Sequence, residues 1–145
     1  MEKHILLSIQ PRIVEEIKNG SKKYEFRKKF PDLSKDNISN TVIIYCSSPV
    51  MKIIGSFKVA QYLNHDFETL MIKVNATNEY KERISRYLQD KSSCHAMEIS
   101  QLKIYEEPLS LSYLRNNFPG FFPGQSYRYL EDQILKEIKI QNGSI

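Results

Sequence analysis

The chain has 145 residues, of which 41% are hydrophobic and 26% are charged, and its formal net charge is +4. This length suits a single domain that buries a sizeable core without disulfide staples. No segment approaches the roughly 18 consecutive apolar residues of a membrane span, and the first residues lack a signal-peptide pattern. We therefore expect one domain over residues 1–145, located in the cytoplasm and independent of membranes.

The positive charge is concentrated in the first part of the chain. Residues 1–60 hold 11 Lys or Arg and 6 Asp or Glu, whereas residues 61–145 hold 10 and 11. Residues 22–29 alone hold five cations and one anion. A basic surface on an otherwise neutral body favours a phosphate-bearing partner, although a solvated lysine-rich surface is the alternative.

The first half of the chain alternates strands with one helix. Residues 4–9 form a short apolar run, and Pro11 suits the first position of a helix. Asn19-Gly20 ends that helix, because glycine readily takes a left-handed conformation. Strands are then predicted over residues 22–28, 41–46 and 52–62, with a polar loop at 30–40 and a turn at 47–50. Gly55 marks a bulge or a close backbone approach.

The second half mixes helices with one strand. Asp66 is a suitable N-cap for a helix over 66–74, and Ser110 for a helix through 117. The remaining predictions are a helix over 77–88, a strand over 94–105, an aromatic Pro/Gly-rich loop over 118–129, a C-terminal helix over about 129–140 and frayed residues 141–145. The fold class is therefore α+β, and we expect a small, partly open β-barrel of five to six strands with surrounding helices.

The turn and strand after the first helix carry the clearest candidate site. Side chains alternate along a strand, so Tyr24 and Phe26 share one face while Lys23, Glu25 and Arg27 share the other. Lys22 offers a point charge for a phosphate, and Arg27 offers a planar fork for a phosphate or a base edge. Glu25 either orients Arg27 or acts as a general base.

Two further segments supply candidate ligand-binding groups. Ser47 and Ser48 follow a strand, and their hydroxyls either cap the turn or face a ligand. Aromatic rings beside cations suit base stacking together with phosphate contact, and such a pattern occurs in the loop that contains Gln125, Ser126, Tyr127 and Arg128.

These motifs together resemble the ASCH domains of the PUA-like superfamily, in particular the small stand-alone prokaryotic and phage type. The resemblance covers most of residues 4–130. It rests on segments that occur in a fixed order, namely Leu7-Ser8-Ile9-Gln10-Pro11, Gly20-x-Lys22-x-x-Glu25-x-Arg27, Tyr45-Cys46-Ser47-Ser48-Pro49-Val50, Ile54-Gly55-Ser56-Phe57, Glu107-Pro108-Leu109 and Pro123-Gly124-Gln125-Ser126-Tyr127-Arg128-Tyr129-Leu130.

The resemblance implies RNA or nucleotide binding in a cleft beside a β-barrel. It also implies hydrolysis as an alternative, since some similar proteins are nucleases and one branch removes the acetyl group of N4-acetylcytidine. That branch uses a lysine at the position of Lys22, a threonine at the position of Glu25 and a separate glutamate. Here a carboxylate replaces the hydroxyl, which departs from the pattern of that branch; if the chain is an enzyme, Lys22 and Glu25 are the candidate catalytic residues.

No metal or cofactor is expected. The three histidines, His4, His65 and His95, lack metal-ligand spacing, and no phosphate-binding glycine motif occurs. Cys46 is predicted to be a small buried hydrophobic residue.

Three functions remain open from the sequence. The first is a module that binds RNA, a nucleotide or a modified nucleoside. The second is a small hydrolase that acts on RNA or a modified nucleoside, and the third is a protein-interaction module whose exposed Lys28 and Lys29 dock a partner.

Overall fold

The structure is a computed structural model that describes residues 2–35, 37–88 and 93–145. Its strands are β1 (Lys3–Ile9), β2 (Tyr24–Arg27), β3 (Ile38–Cys46), β4 (Lys52–His65), β5 (Cys94–Ser110) and β6 (Tyr127–Leu130). Its helices are α1 (Pro11–Lys18), α2 (Phe67–Lys73), α3 (Asn78–Leu88), α4 (Leu111–Asn117) and α5 (Asp132–Asn142).

The six strands form one mixed sheet in the order β2-β5-β4-β3-β1-β6. β1 and β3 are parallel, and the other neighbours are antiparallel. The α+β class is confirmed. The sheet does not close into a barrel, because β2 and β6 remain its two edges.

The second part of central strand β3, residues 42–46, is apolar and buried because both of its faces are covered. Alternate residues Val42, Ile44 and Cys46 join one hydrophobic cluster with α1 residues. The intervening Ile43 and Tyr45 join a second cluster that includes residues of α4 and α5. The predicted burial of Cys46 is confirmed.

Helix α1 begins and ends as its sequence predicts. Pro11 occupies the first turn, while Val14 and Ile17 are buried against the sheet. Gly20 has a φ of +82° just beyond the helix, a conformation that glycine adopts without steric cost. The chain therefore turns sharply out of α1, and Lys22 and β2 follow directly.

A third hydrophobic cluster lies beneath the edge strand β2. Phe26 packs in it with Phe67 and Leu70 of α2 and with Ile84 of α3. Asp66 caps α2, since its carboxylate accepts a hydrogen bond from the Thr69 backbone N–H at 2.8 Å. This packing holds α2 and α3 against the end of the sheet that carries β2.

The C-terminal region differs from the sequence prediction. The helix begins at Asp132 rather than near 129, because Tyr127–Leu130 form β6 and pair with β1. Two of the last five residues make long-range contacts, since the Asn142 side chain exchanges hydrogen bonds with the Glu107 backbone and Ile145 packs against the second cluster; fraying of residues 141–145 stays a prediction. Among the described residues, no helix is long and apolar enough to cross a membrane.

Candidate functional site

A cleft of about 1080 Å³ lies on the open side of the sheet. Five parts of the chain meet there: the end of β1 with the start of α1, the Lys22–Lys29 segment, the turn after β3, helix α3 and the segment before β6. The residues that line it are Ser8, Ile9, Gln10, Arg12, Ile13, Lys22, Glu25, Phe26, Arg27, Lys28, Lys29, Tyr45, Ser47, Ser48, Met51, Arg83, Ile84, Arg86, Pro123, Gly124, Gln125, Ser126 and Tyr127.

Arg27 bridges the two edges of the sheet across this cleft. Its Nη2 donates to the backbone carbonyl of Ser8 at 2.9 Å, and its Nη1 donates to Ser126 Oγ at 3.4 Å. Its Nε forms an ion pair with Glu25 Oε1 at 3.3 Å. Glu25 and Arg27 therefore hold each other in place, as expected for residues two positions apart on one strand face.

The ammonium of Lys22 is buried at the base of the cleft. The residue is only 6% exposed, and its Nζ lies 5.5 Å from the centroid of the Phe26 ring. In the described part of the chain no hydrogen-bond acceptor or carboxylate pairs with this ammonium. Burial lowers the pKa of Lys22, and the nearby charge of Glu25 opposes that shift. An ammonium buried in this position is available to donate hydrogen bonds to an anionic or carbonyl group of a ligand.

Two more polar atoms near Lys22 are buried and have no hydrogen-bond partner within the described ranges. One is Glu25 Oε2, and the other is the hydroxyl of Tyr80 in α3. The Tyr80 ring packs on Phe26 with a centroid distance of 5.9 Å. Burial raises the pKa of Tyr80 to about 12, so the phenol is a neutral donor at physiological pH. Buried polar groups without a hydrogen-bond partner are uncommon in native proteins.

The segment before β6 forms the wall opposite Glu25. Ser8 fixes it through two contacts, because its Oγ donates to the Gly124 carbonyl at 3.0 Å and its N–H donates to the Ser126 carbonyl at 2.9 Å. The ring of Tyr127 packs on Phe30 at a centroid distance of 5.6 Å. This wall therefore sits on the rigid framework of β1.

The turn after β3 forms the rim of the cleft. Backbone hydrogen bonds hold it in place, from the Ser47 N–H to the Ile9 carbonyl at 2.9 Å and from the Val50 N–H to the Ser47 carbonyl at 3.1 Å. Ser47 and Ser48 both line the cleft. Their side chains thus lie where the turn meets the end of β1.

Eight of the ten candidate residues named from the sequence line this one cleft: Lys22, Glu25, Arg27, Ser47, Ser48, Gln125, Ser126 and Tyr127. Lys23 does not line it, because β2 begins only at Tyr24 and the Lys23 side chain is exposed. Arg128 is also absent from the lining. Its guanidinium lies over the rings of Phe121 and Phe122, donates to the Phe122 carbonyl at 2.8 Å and pairs with Glu131.

Helix α3 contributes cleft residues that the sequence did not single out. Arg83 and Arg86, three positions apart, present two cations on one side of the helix. Arg83 pairs with Glu16 of α1 at 2.6 Å, which ties the two helices together. Arg12 adds a cation from the start of α1. The three-residue spacing was visible in the sequence, but the docking of α3 beside the cleft was not.

The whole fold resembles that of solved structures. No protein-family model and no curated protein matches the sequence. The crystal structure of an ASCH protein from Zymomonas mobilis superposes with a TM-score of 0.79 at 20% identity, covering 98% of this chain and 97% of that one. The chain has an ASCH-domain fold.

More distant solved structures also resemble this chain. The N-terminal domain of McrB from Staphylothermus marinus has a TM-score of 0.59 at 12% identity, covering 97% of this chain and 95% of that one. A protein from Agrobacterium tumefaciens has a TM-score of 0.58 at 13% identity, covering 98% and 94%. The fold resemblance inferred from the sequence motifs is therefore confirmed.

Proposed function

We propose that this chain binds RNA, or a nucleotide or modified nucleoside, in the cleft on the open side of its sheet. The observation that carries the proposal is the charge of the cleft lining. Glu25 is its single carboxylate among the described residues, against the cations Arg12, Lys22, Arg27, Lys28, Lys29, Arg83 and Arg86. Such a surface attracts phosphates and releases counterions on binding.

The base of the cleft suits one nucleobase or sugar. Tyr127 supplies ring surface, and Lys22 supplies a donor that has no partner among the described residues. Glu25 supplies carboxylate oxygens that accept from exocyclic amino groups, as carboxylates do in base recognition. The other cations of the lining would then contact phosphates, while Lys22 and Glu25 at the base of the cleft contact the nucleoside.

Salt titration of affinity tests this proposal. A fluorescein-labelled hexanucleotide RNA and unlabelled AMP as competitor serve as probes, and the affinity is measured at several salt concentrations. We expect the logarithm of the association constant to fall linearly with the logarithm of salt concentration. Arg86→Ala should reduce the magnitude of that slope by about 0.7, whereas Lys73→Ala, a change on α2 outside the cleft, should leave it unchanged. Absence of binding at low salt would reject the proposal.

Hydrolysis is a second candidate function, and the environment of Lys22 favours it. Because burial lowers its pKa, the amine loses its proton at a lower pH than an exposed lysine does, and a neutral amine is a general base. Glu25 keeps one oxygen without a partner beside it. Since a carboxylate stands here instead of a threonine hydroxyl, the chemistry would differ from that of the deacetylating branch.

Single-turnover incubation separates the two candidates. Short RNAs and modified nucleosides, N4-acetylcytidine among them, are incubated with excess protein, and both product and bound fraction are measured. Product that disappears in Lys22→Met and Glu25→Gln would make the chain a hydrolase. Binding without product would make it a binding module, and a cytoplasmic location fits either. If neither product nor binding is observed, interaction with a protein partner remains as the function.

A further inference from the structure

A row of aromatic rings leads out of the cleft along the edge strand β6. Tyr127 lines the cleft, and Tyr129 lies next to it with the ring centroids 6.5 Å apart in an edge-to-face arrangement. The ammonium of Lys3 lies 5.0 Å from the Tyr129 centroid. The row therefore ends with an exposed ring that has a cation over its face.

The register of the sheet explains why these rings are aligned. Tyr127 pairs with Leu7 and Tyr129 with Ile5, so both rings project from one face of β6. Phe30 packs against Tyr127 at 5.6 Å and supports it from the side of the core. Tyr129, in contrast, is 37% exposed. A large ring at the solvent-facing end of a supported row is available for stacking.

The charges around Tyr129 also favour an anionic strand. Lys3 is exposed, and its backbone N–H donates to the Asn37 carbonyl at 2.7 Å, which fixes the start of β1. Glu131, which follows β6, is already paired with Arg128. Lys28 and Lys29 add two cations to the lining of the cleft itself.

We propose that Tyr129 and Lys3 form a second nucleotide subsite, which binds the next unit of a single-stranded RNA whose first unit occupies the cleft. The base stacks on the Tyr129 ring, and the ammonium of Lys3 contacts the phosphate between the two units. Base–aromatic stacking of this kind is tolerant of sequence, so this subsite contributes affinity rather than base identity. The inference rests on the proposed function, since it requires nucleotide binding in the cleft.

The test compares a mononucleotide with an oligonucleotide. The affinities of AMP and hexaadenylate are measured by calorimetry for the unmodified chain, Tyr129→Ala, Tyr129→Phe and Lys3→Ala. Ile140→Ala, which removes a 77% exposed apolar side chain from α5, is the control. Tyr129→Ala should weaken hexaadenylate binding about fivefold to 150-fold and leave AMP binding unchanged. Tyr129→Phe should retain most of the affinity because it keeps the ring.

Each outcome decides a different point. Lys3→Ala should also reduce the magnitude of the salt slope for hexaadenylate by about 0.7 without changing that for AMP. Equal affinities of AMP and hexaadenylate, or a Tyr129→Ala affinity equal to that of the unmodified chain, would overturn the second subsite and leave the proposed function intact. Failure of both probes to bind the unmodified chain would overturn the proposed function and this inference with it.

Discussion

Arg27 on the edge strand β2 donates a hydrogen bond to the Ser8 carbonyl on β1 at 2.9 Å, although β2 and β1 are separated in the sheet by three other strands. The sheet therefore curves until its two ends face one another, and a side chain rather than a backbone ladder spans the remaining gap. The cleft occupies this gap. The geometry of the site and the stability of the open sheet depend on the same residue.

Arg27→Ala should destabilise the fold by about 3 kcal/mol, because removal of one partner leaves a buried charge uncompensated. The Glu25 side chain is only 7% exposed and loses its ion-pair partner. Urea unfolding measures the effect. The control Lys81→Ala removes an exposed ion pair with Glu68 and should cost less than about 1 kcal/mol. Equal losses in the two variants would contradict this account of Arg27.

The double variant Arg27→Ala/Glu25→Gln isolates the charge effect. With the carboxylate gone, the variant should recover part of the stability that Arg27→Ala loses, since a neutral amide costs less to bury than an unpaired carboxylate. If the double variant is no more stable than Arg27→Ala, then the Ser8 and Ser126 contacts of Arg27 carry its whole effect.

Lys22→Met should stabilise the fold at pH 7 and abolish the contribution of this cation to ligand binding. Burial lowers the pKa of Lys22 below 10.5, so the folded state bears a cost for holding the charged form. As pH rises from the folded pKa towards 10.5, the unfolded chain binds more protons than the folded one and stability increases. The stability difference between Lys22→Met and the unmodified chain should therefore shrink with rising pH in urea unfolding. A difference that is constant with pH would show that the lysine carries no burial cost.

His95 should make the fold less stable in mild acid. It is 8% exposed, and the Tyr62 hydroxyl lies 2.7 Å from its Nδ1. Burial lowers the pKa of His95 from 6.5, so below that pH the unfolded chain takes up a proton that the folded chain does not. Stability should fall as pH drops from 6.5 to the folded pKa. In His95→Gln the loss of stability with falling pH should be smaller. Part of that loss should remain, because burial lowers the pKa of His4 as well.

Gly55→Ala should destabilise the sheet by about 1 to 3 kcal/mol, the usual cost of overpacking. A Cβ atom there would lie well inside the van der Waals distance of the Lys103 carbonyl oxygen and 3.3 Å from the Ile104 Cα. Gly20→Ala is the comparison, because a Cβ at Gly20 meets nothing within 4 Å and only its positive φ is unfavourable. Thermal unfolding that shows no loss for Gly55→Ala would mean that β4 and β5 separate easily.

The sequence predicted those parts of the site that depend on local pattern. Strand alternation correctly placed Phe26 in the core and Glu25 with Arg27 on the opposite face, because that rule needs only the backbone of one strand. Lys23 was assigned to the same face, but β2 begins at Tyr24, two residues later than predicted. The close approach at Gly55 was also predicted, since a glycine within a strand commonly marks one.

Features that depend on long-range packing escaped prediction. Strand β6 was read as part of a loop and helix, because four residues become a strand only through pairing with β1, more than 100 positions earlier in the chain. Arg83 and Arg86 belong to a helix whose charged residues follow the usual pattern of a solvent-exposed face, so the sequence alone does not single them out. Only the packing of α3 beside Phe26 brings them to the cleft.

The most direct test of the central claim uses two neighbouring lysines. Lys22→Met and Lys23→Met remove the same charge from adjacent positions, but only Lys22 lines the cleft. The affinity of a labelled hexanucleotide RNA should fall about tenfold to 100-fold in Lys22→Met, the cost of one hydrogen bond to a charged group. In Lys23→Met it should change by less than about twofold, since that side chain is exposed outside the cleft. Equal losses in both variants, or no loss in Lys22→Met, would contradict the cleft as the binding site.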